Sequence, residues 1–274
     1  MKIRIDQRVH ELGYADSREK AKRMIMAGEI YVQGLMVNKP GTRVDSELPV
    51  EYRGNRPEFV SRGGYKLQKA IDLYRIDLTD RVCMDIGAST GGFTHVMLNN
   101  GAARVYSIDV GYGQLDYSLR QNPRVVSMEK TNARYLAFDR IGERVDFISV
   151  DVSFISVKKI VGALKPFMKP STRWVILIKP QFEAGRETVR KKGVIRDKNI
   201  HRDVLEDLLA FLEKEGLLVQ AATYSPITGP KGNIEFLVTG TLALKDAARQ
   251  AIDVKTLVDE AHENLSVKGG PHEV

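Results

Sequence analysis

Hydrophobic positions along the chain keep two rhythms, and the change between them divides it. Near the start, Ile5, Val9 and Leu12 recur at i, i+4 and i+7 with Gly13 behind them, which predicts a short amphipathic helix with a glycine C-cap. Asp16 or Ser17 caps a second helix that buries Ala21, Met24 and Ile25 and stops at Gly28. Two short strand patterns follow, EIYVQG and LMVNKPGTRV, punctuated by glycine and proline. Residues 54–64 have the Gly, Pro and Arg content of a linker. Beyond it, apolar strand patterns at 82–86, 104–109, 124–128, 145–151, 173–179, 217–224 and 233–240 alternate with helical ones at 62–74, 92–99, 153–165 and 198–215. Strands separated by helices pair in parallel, so the expected fold is α/β, a doubly wound Rossmann-like sheet covered on both faces. Only SPITGPKG joins the last two strands, too short for a crossover helix, so the last strand is expected to run antiparallel. The expected organisation is a small α+β domain over 1–53, a linker over 54–64, the larger domain over 65–265 and a disordered tail over 266–274.

Composition narrows the class. The 274 residues are 43% hydrophobic without an apolar run of transmembrane length, which predicts a soluble protein with no membrane association. The opening MKIRIDQRVHEL lacks the apolar core of a secretory signal. A single cysteine excludes a disulfide framework and a Cys-based zinc site, and no His/Cys/carboxylate cluster calls for a metal; a reducing cytoplasm fits. A net charge of +7 serves solubility or a polyanionic partner equally well. Nine of the basic residues against five acidic ones lie in positions 1–43, which tilts the choice.

The helix–helix–hairpin order around SREKAKRMIMAGEIYVQGLMVN resembles the alpha-L RNA-binding motif of a small-subunit ribosomal protein and of several RNA-modifying enzymes. The resemblance implies that Arg18, Lys22 and Arg23 face RNA phosphates; taken alone, such charges more often mark a solvated helix face.

The stretch MDIGASTGGF, 84–93, resembles a nucleotide loop with the wrong spacing. Ser89 stands where a dinucleotide fingerprint needs glycine, and a phosphate loop would need a lysine before Thr94. Asp85 would repel a pyrophosphate but suits a ligand bearing an ammonium and a sulfonium, so S-adenosylmethionine is the expected cofactor. Asp109, 24 residues after Asp85, ends the next strand where such folds place an acid on the ribose hydroxyls, although it could merely cap the following loop. Gly87, Ser89, Gly91, Gly92, Phe93, Val110 and Asn132 complete the expected cofactor set.

The methyl acceptor follows by elimination. Pyrimidine carbon methylation needs a cysteine nucleophile, and Cys83 lies within a core strand. Base amino methylation favours an Asn/Asp-Pro-Pro-aromatic turn, whereas this position reads DVSFIS. Oxygen methylation remains. Asp151 and Lys179 end the fourth and fifth strands, Glu235 begins the antiparallel last strand, and Lys66 lies early in the first helix of the domain, so the four can converge at the ligand edge. Each taken singly could simply mark where a strand meets water.

With SRGGYKL, DIGASTGGFT, VDVSFIS, LIKPQFE and GNIEFL added to the amino-terminal motif, nearly the whole chain resembles the hemolysin A (TlyA) family of ribosomal RNA 2′-O-methyltransferases, whose catalytic domain is of the FtsJ/RrmJ type. The resemblance implies a Lys-Asp-Lys-Glu tetrad at Lys66, Asp151, Lys179 and Glu235, with a cytidine ribose in ribosomal RNA as substrate. Lys179 is expected to deprotonate or align the hydroxyl, oriented by Asp151, while Glu235 positions Lys66 or the hydroxyl itself. Arg62 joins the expected RNA contacts. So do Arg190, Lys191 and Lys192, from a stretch at 181–202 with seven basic and three acidic residues that reads as an RNA-contacting lid. Ribosomal RNA or a ribosomal subunit is the expected partner; the sequence leaves the oligomeric state open, with a monomer favoured. A catalytically silent assembly factor would not need an intact tetrad. A membrane-active hemolysin would need apolar spans or barrel strands, and these strands read as buried core.

Overall fold

The computed structural model describes residues 2–54, 58–185, 193–242 and 251–266. Two compact units account for them, Met1–Glu58 and Phe59–Val274.

In the first unit, β1 (Lys2–Arg4) leads into α1 (Ile5–Glu11) and α2 (Arg18–Met26), followed by β2 (Ile30–Val32), β3 (Leu35–Met36), β4 (Arg43–Asp45) and β5 (Val50–Tyr52). Ser17 caps α2 by accepting the Lys20 N–H at 3.2 Å. Both helices end on glycines in the left-handed region, Gly13 at φ 73° and Gly28 at φ 74°. Ile5, Val9, Ala21, Ile25 and Ile30 form the buried centre. Asp6 is also fully buried, clamped by Arg4 at 3.0 Å and Arg18 at 3.0 Å. Those two guanidiniums hold its carboxyl down at about 2, against the opposing effect of burial.

The second unit runs α3 (Gly64–Tyr74), β6 (Val82–Ile86), α4 (Gly92–Asn99), β7 (Arg104–Ile108), α5 (Tyr117–Arg120), β8 (Val125–Met128), β9 (Val145–Val150), α6 (Lys158–Leu164), β10 (Met168–Ile178), α7 (Pro180–Glu183), α8 (Lys198–Lys214), β11 (Leu217–Tyr224), β12 (Phe236–Leu242) and α9 (Val254–Ser266). Its seven-stranded sheet has the order β11-β12-β10-β9-β6-β7-β8. β10, β9, β6, β7 and β8 pair in parallel, while β12 lies antiparallel between β10 and β11. This is the doubly wound sheet with a reversed last strand that the periodicity predicts. Apolar side chains on both faces explain the near-continuous hydrophobic strands; Trp174, Ile176 and Ile178 enter one core and Val175 and Leu177 the other.

Three details depart from the periodicity. The last strand begins at Phe236, so Glu235 stands just before it, its carbonyl accepting the Ser225 N–H at 2.8 Å. The helix expected from 153 begins only at Lys158, so SFIS forms an irregular loop. A helix absent from the sequence reading, α9, covers β11 with the buried side chains of Val258 and Ala261. The tail beyond 266 lies outside the described residues. Among the described residues no helix is long and apolar enough to cross a membrane.

Candidate active site

Parallel strands deliver their carboxyl ends to one edge of the sheet, and the candidate site is built there. A cavity of about 470 Å³ opens between the ends of β6, β7 and β9. Its walls include Gly87, Ser89, Asp109, Val110 and Asn132 from the expected cofactor set, together with Gln114, Thr131, Ser153, Phe154 and Ile155, which the sequence did not single out. Gly87 sits at φ 84°, and a Cβ there would come within 2.2 Å of the Asp151 carbonyl oxygen, so only glycine lets these two strand ends meet.

Asp109 accepts the Ser89 N–H at 2.8 Å and the Gly111 N–H at 2.6 Å. Asp109 therefore caps the following loop and also lines the cavity, with two of a carboxylate's about four acceptor sites left over. Apolar Ile86, Ile108, Val110 and Ile160 make the rest of the wall. A cleft of this size, with an acid beside Asn132 and an apolar surface for a flat ring, fits S-adenosylmethionine.

Four expected cofactor contacts stand behind that wall. Asp85 is 0% exposed and accepts hydroxyl hydrogen bonds from Thr94 at 2.7 Å and Ser149 at 2.9 Å. Burial pushes its carboxyl up to about 6 against those hydrogen bonds. It supports β6, β9 and α4 from beneath rather than lining the cavity. Phe93 is buried in the core. A Cβ on Gly91 would meet Leu119 at 2.3 Å, and one on Gly92 would meet Ser61 Oγ at 2.3 Å and the Gly64 nitrogen at 2.9 Å. Gly91 thus admits Leu119 of α5, while the smallness of Gly92 brings α4 against the start of α3, the helix that carries Lys66.

The four charged residues come together. Lys66 donates to Glu235 Oε2 at 2.6 Å in a pair that is nearly inaccessible, 7% and 1% exposed. Burial pushes the Glu235 carboxyl up, while the Lys66 and Lys179 cations oppose that shift and Asp151 reinforces it. Lys179 Nζ lies 2.5 Å from Asp151 Oδ1 and donates to Ser153 Oγ at 2.8 Å. The contact with Asp151 is an ion pair without hydrogen-bond alignment, for Oδ1 has no directed partner. Two lysines and two acids thus form paired charges adjoining the cavity through Asp151 and Ser153.

Surrounding contacts hold these groups. Glu183 in α7 accepts from Ser156 Oγ at 2.6 Å and the Val157 N–H at 2.8 Å, tying the segment after Lys179 to the loop after Asp151. In that loop Phe154 adopts φ 65°, is 91% exposed and lies 5.1 Å from the Phe182 ring. Asn233, two positions before Glu235, is buried, accepts the Ile195 N–H at 3.0 Å and donates to the Gly193 carbonyl at 2.9 Å. Ser153, Phe154, Glu183 and Asn233 lie inside the motifs VDVSFIS, LIKPQFE and GNIEFL, but only the contacts give each a place at the site.

Among the expected RNA contacts, Arg18 spends its guanidinium on Asp6, and Lys22 pairs with Glu19 at 2.5 Å. Arg23 and Arg62 are exposed. Arg190, Lys191 and Lys192 lie outside the described residues. Among the described residues no three His, Cys, Asp or Glu side chains gather as metal ligands.

The model of the FtsJ-like methyltransferase family matches residues 59–242, and that of the S4 domain matches 3–50. The chain is 38% identical over 266 residues to the 16S/23S rRNA (cytidine-2′-O)-methyltransferase TlyA of Mycobacterium tuberculosis, covering 97% of this chain and 98% of that protein. It is 41% identical to Hemolysin A of Brachyspira hyodysenteriae, covering 86% and 98% respectively. A solved structure from Streptococcus thermophilus, provisionally described as a hemolysin, superposes with a TM-score of 0.74 at 41% identity, covering 97% of this chain and 98% of that one.

Proposed function

The chain belongs to the hemolysin A (TlyA) family of FtsJ-like methyltransferases with an amino-terminal S4 domain, and from that premise we propose that it methylates the ribose 2′-hydroxyl of a cytidine in ribosomal RNA, using S-adenosylmethionine. One observation carries the chemistry. Lys66, Asp151, Lys179 and Glu235 meet beside a cofactor-sized cavity with no nucleophilic cysteine near them; Cys83 is fully buried in a core, and burial pushes its thiol up.

S-adenosylmethionine supplies an electrophilic methyl on a sulfonium. The chain's own residues hold its acceptor. Lys179, held beside Asp151 and Ser153, aligns the 2′-oxygen; in its neutral form the amine takes the hydroxyl proton as the oxygen attacks the methyl, and Asp151 balances the ammonium that results. The buried Lys66–Glu235 pair beside them adds no net charge. Holding hydroxyl and methyl in line supplies much of the rate.

The surroundings of the cavity suit an RNA nucleotide. Exposed Phe154 offers a ring face, and Lys130 over Tyr112 at 4.3 Å and Arg134 over Tyr135 at 5.3 Å interleave cations with aromatics. The S4-type unit supplies further phosphate contacts through Arg23 and, in part, Arg18 and Lys22. The protein then works in the cytoplasm, where its substrate is. The test is to map 2′-O-methylation on ribosomal RNA from cells with and without the gene. Identical maps would end this reading.

A further inference from the structure

A second cavity, of about 280 Å³, opens at the opposite edge of the same sheet, where β6 and β9 begin. Five residues of strand, roughly 16 Å, separate it from the catalytic edge. Arg75, Arg81 and Arg173 converge on it from the end of α3, the residue before β6 and the body of β10. Arg75 closes α3 in the left-handed region, φ 49°, an uncommon conformation for a side chain of this size.

The carboxylates nearby are already engaged. Asp146 accepts from Lys169 Nζ at 2.6 Å and from the Val82 N–H at 3.0 Å, and Asp77 accepts the Thr79 N–H at 2.9 Å. Both feel the charge of Arg81 without pairing with it. Among the described residues, none of the three guanidiniums forms an ion pair or a side-chain hydrogen bond, and Arg173 Nε is buried with no partner. Three arginines and Lys169 against two aspartates leave a surplus of two positive charges. A buried donor without an acceptor is costly in an isolated chain, and a bound oxyanion removes that cost. Guanidinium forks match phosphate oxygens in pairs. Among the described residues the only aromatic side chain in the wall, Phe147, is itself buried and offers no face for a base to stack on.

We infer that this arginine cavity seats a backbone phosphate of the RNA substrate, a second anchor remote from the methyl-transfer site. The inference rests on the RNA-methylation reading above. The double variant Arg81→Gln/Arg173→Gln keeps the side-chain stems and removes the charge. Its affinity for ribosomal RNA should fall about tenfold at 0.1 M salt, and the slope of log affinity against log salt should flatten by about one. S-adenosylmethionine affinity and the single-turnover rate on saturating RNA should stay at wild-type values. Arg81→Lys/Arg173→Lys, which keeps the charge, should restore most of the slope.

An unchanged slope in a double variant that melts like wild type overturns the inference. If that variant melts early, exposed Arg75→Gln replaces it, and an unchanged slope there has the same force. Calorimetric titration with inorganic phosphate and AMP separates a free ligand from RNA. Submillimolar binding that the double variant loses, with an unaltered RNA slope, would assign the cavity to a small phosphorylated molecule instead. Failure of the underlying reading looks different, because wild-type protein would then not methylate ribosomal RNA at all.

Discussion

Lys66 and Glu235 stand 169 positions apart in sequence and 2.6 Å apart in space, in a buried ion pair that joins the first helix of the catalytic unit to the entrance of its last strand. Removing one partner strands the other charge, so Glu235→Ala should destabilise the protein by about 3–5 kcal/mol and abolish methyl transfer. Lys66→Met/Glu235→Leu should recover much of that stability and remain inactive. Denaturant melts paired with a transfer assay check both; an active double variant would remove the pair from the site.

Lys179→Ala should lower the transfer rate at least a thousandfold while donor and RNA affinities stay near wild type, since its role lies in the transition state. Lys179→Arg keeps a cation but cannot readily pass a proton, and its fork is bulkier than the ammonium that meets Asp151 and Ser153. It should be nearly as inactive. Substantial turnover by the arginine variant would reduce Lys179 to a source of charge.

Asp109→Ala should weaken S-adenosylmethionine binding by about 1–3 kcal/mol, the usual loss for charge-assisted hydrogen bonds. Because Asp109 also holds the Ser89 and Gly111 amides, the melting temperature should drop slightly as well. Calorimetry with unchanged donor affinity would confine Asp109 to loop capping.

Phe154→Ala should weaken RNA binding by about 1–3 kcal/mol, the range for one base stacked on one aromatic ring. Phe154→Tyr should bind almost normally. Equal affinity for all three proteins would leave the exposed ring without a role.

Asp6 governs the amino-terminal unit. Its folded pKa of about 2 lies below the ordinary aspartate value near 3.9, so the stabilisation it provides is complete above about pH 4 and is lost as pH falls through 2. Allowing for half-exposed Arg4 and Arg18, the loss is on the order of 1–2 kcal/mol, and Asp6→Asn should remove that pH dependence. It follows that Arg18→Glu should unsettle the unit as well as its RNA binding, whereas Arg23→Glu should weaken only RNA binding. Amide exchange on the two variants separates the effects.

Much of this protein follows from local rules that the sequence states openly. Hydrophobic period and connection length were enough for seven strands, their winding and the reversed last strand, because burying both faces of a parallel sheet forces apolar runs and a short turn forbids a crossover. They were also enough to bring Lys66, Asp151, Lys179 and Glu235 to one edge, since strand ends in such a sheet share a side. Tertiary structure alone decided which charges pair, because a lysine has two acids within reach and only packing chooses between them. It set Asp85, Gly91, Gly92 and Phe93 behind the cavity wall, in the packing around α4, a distinction of a few ångströms that spacing cannot encode. It spent Arg18 on a buried aspartate, raised Phe154 into solvent and left Arg75, Arg81 and Arg173 around one cavity without a direct ion pair. Periodicity reports which side of an element is buried. What a side chain touches depends on segments that meet only after folding.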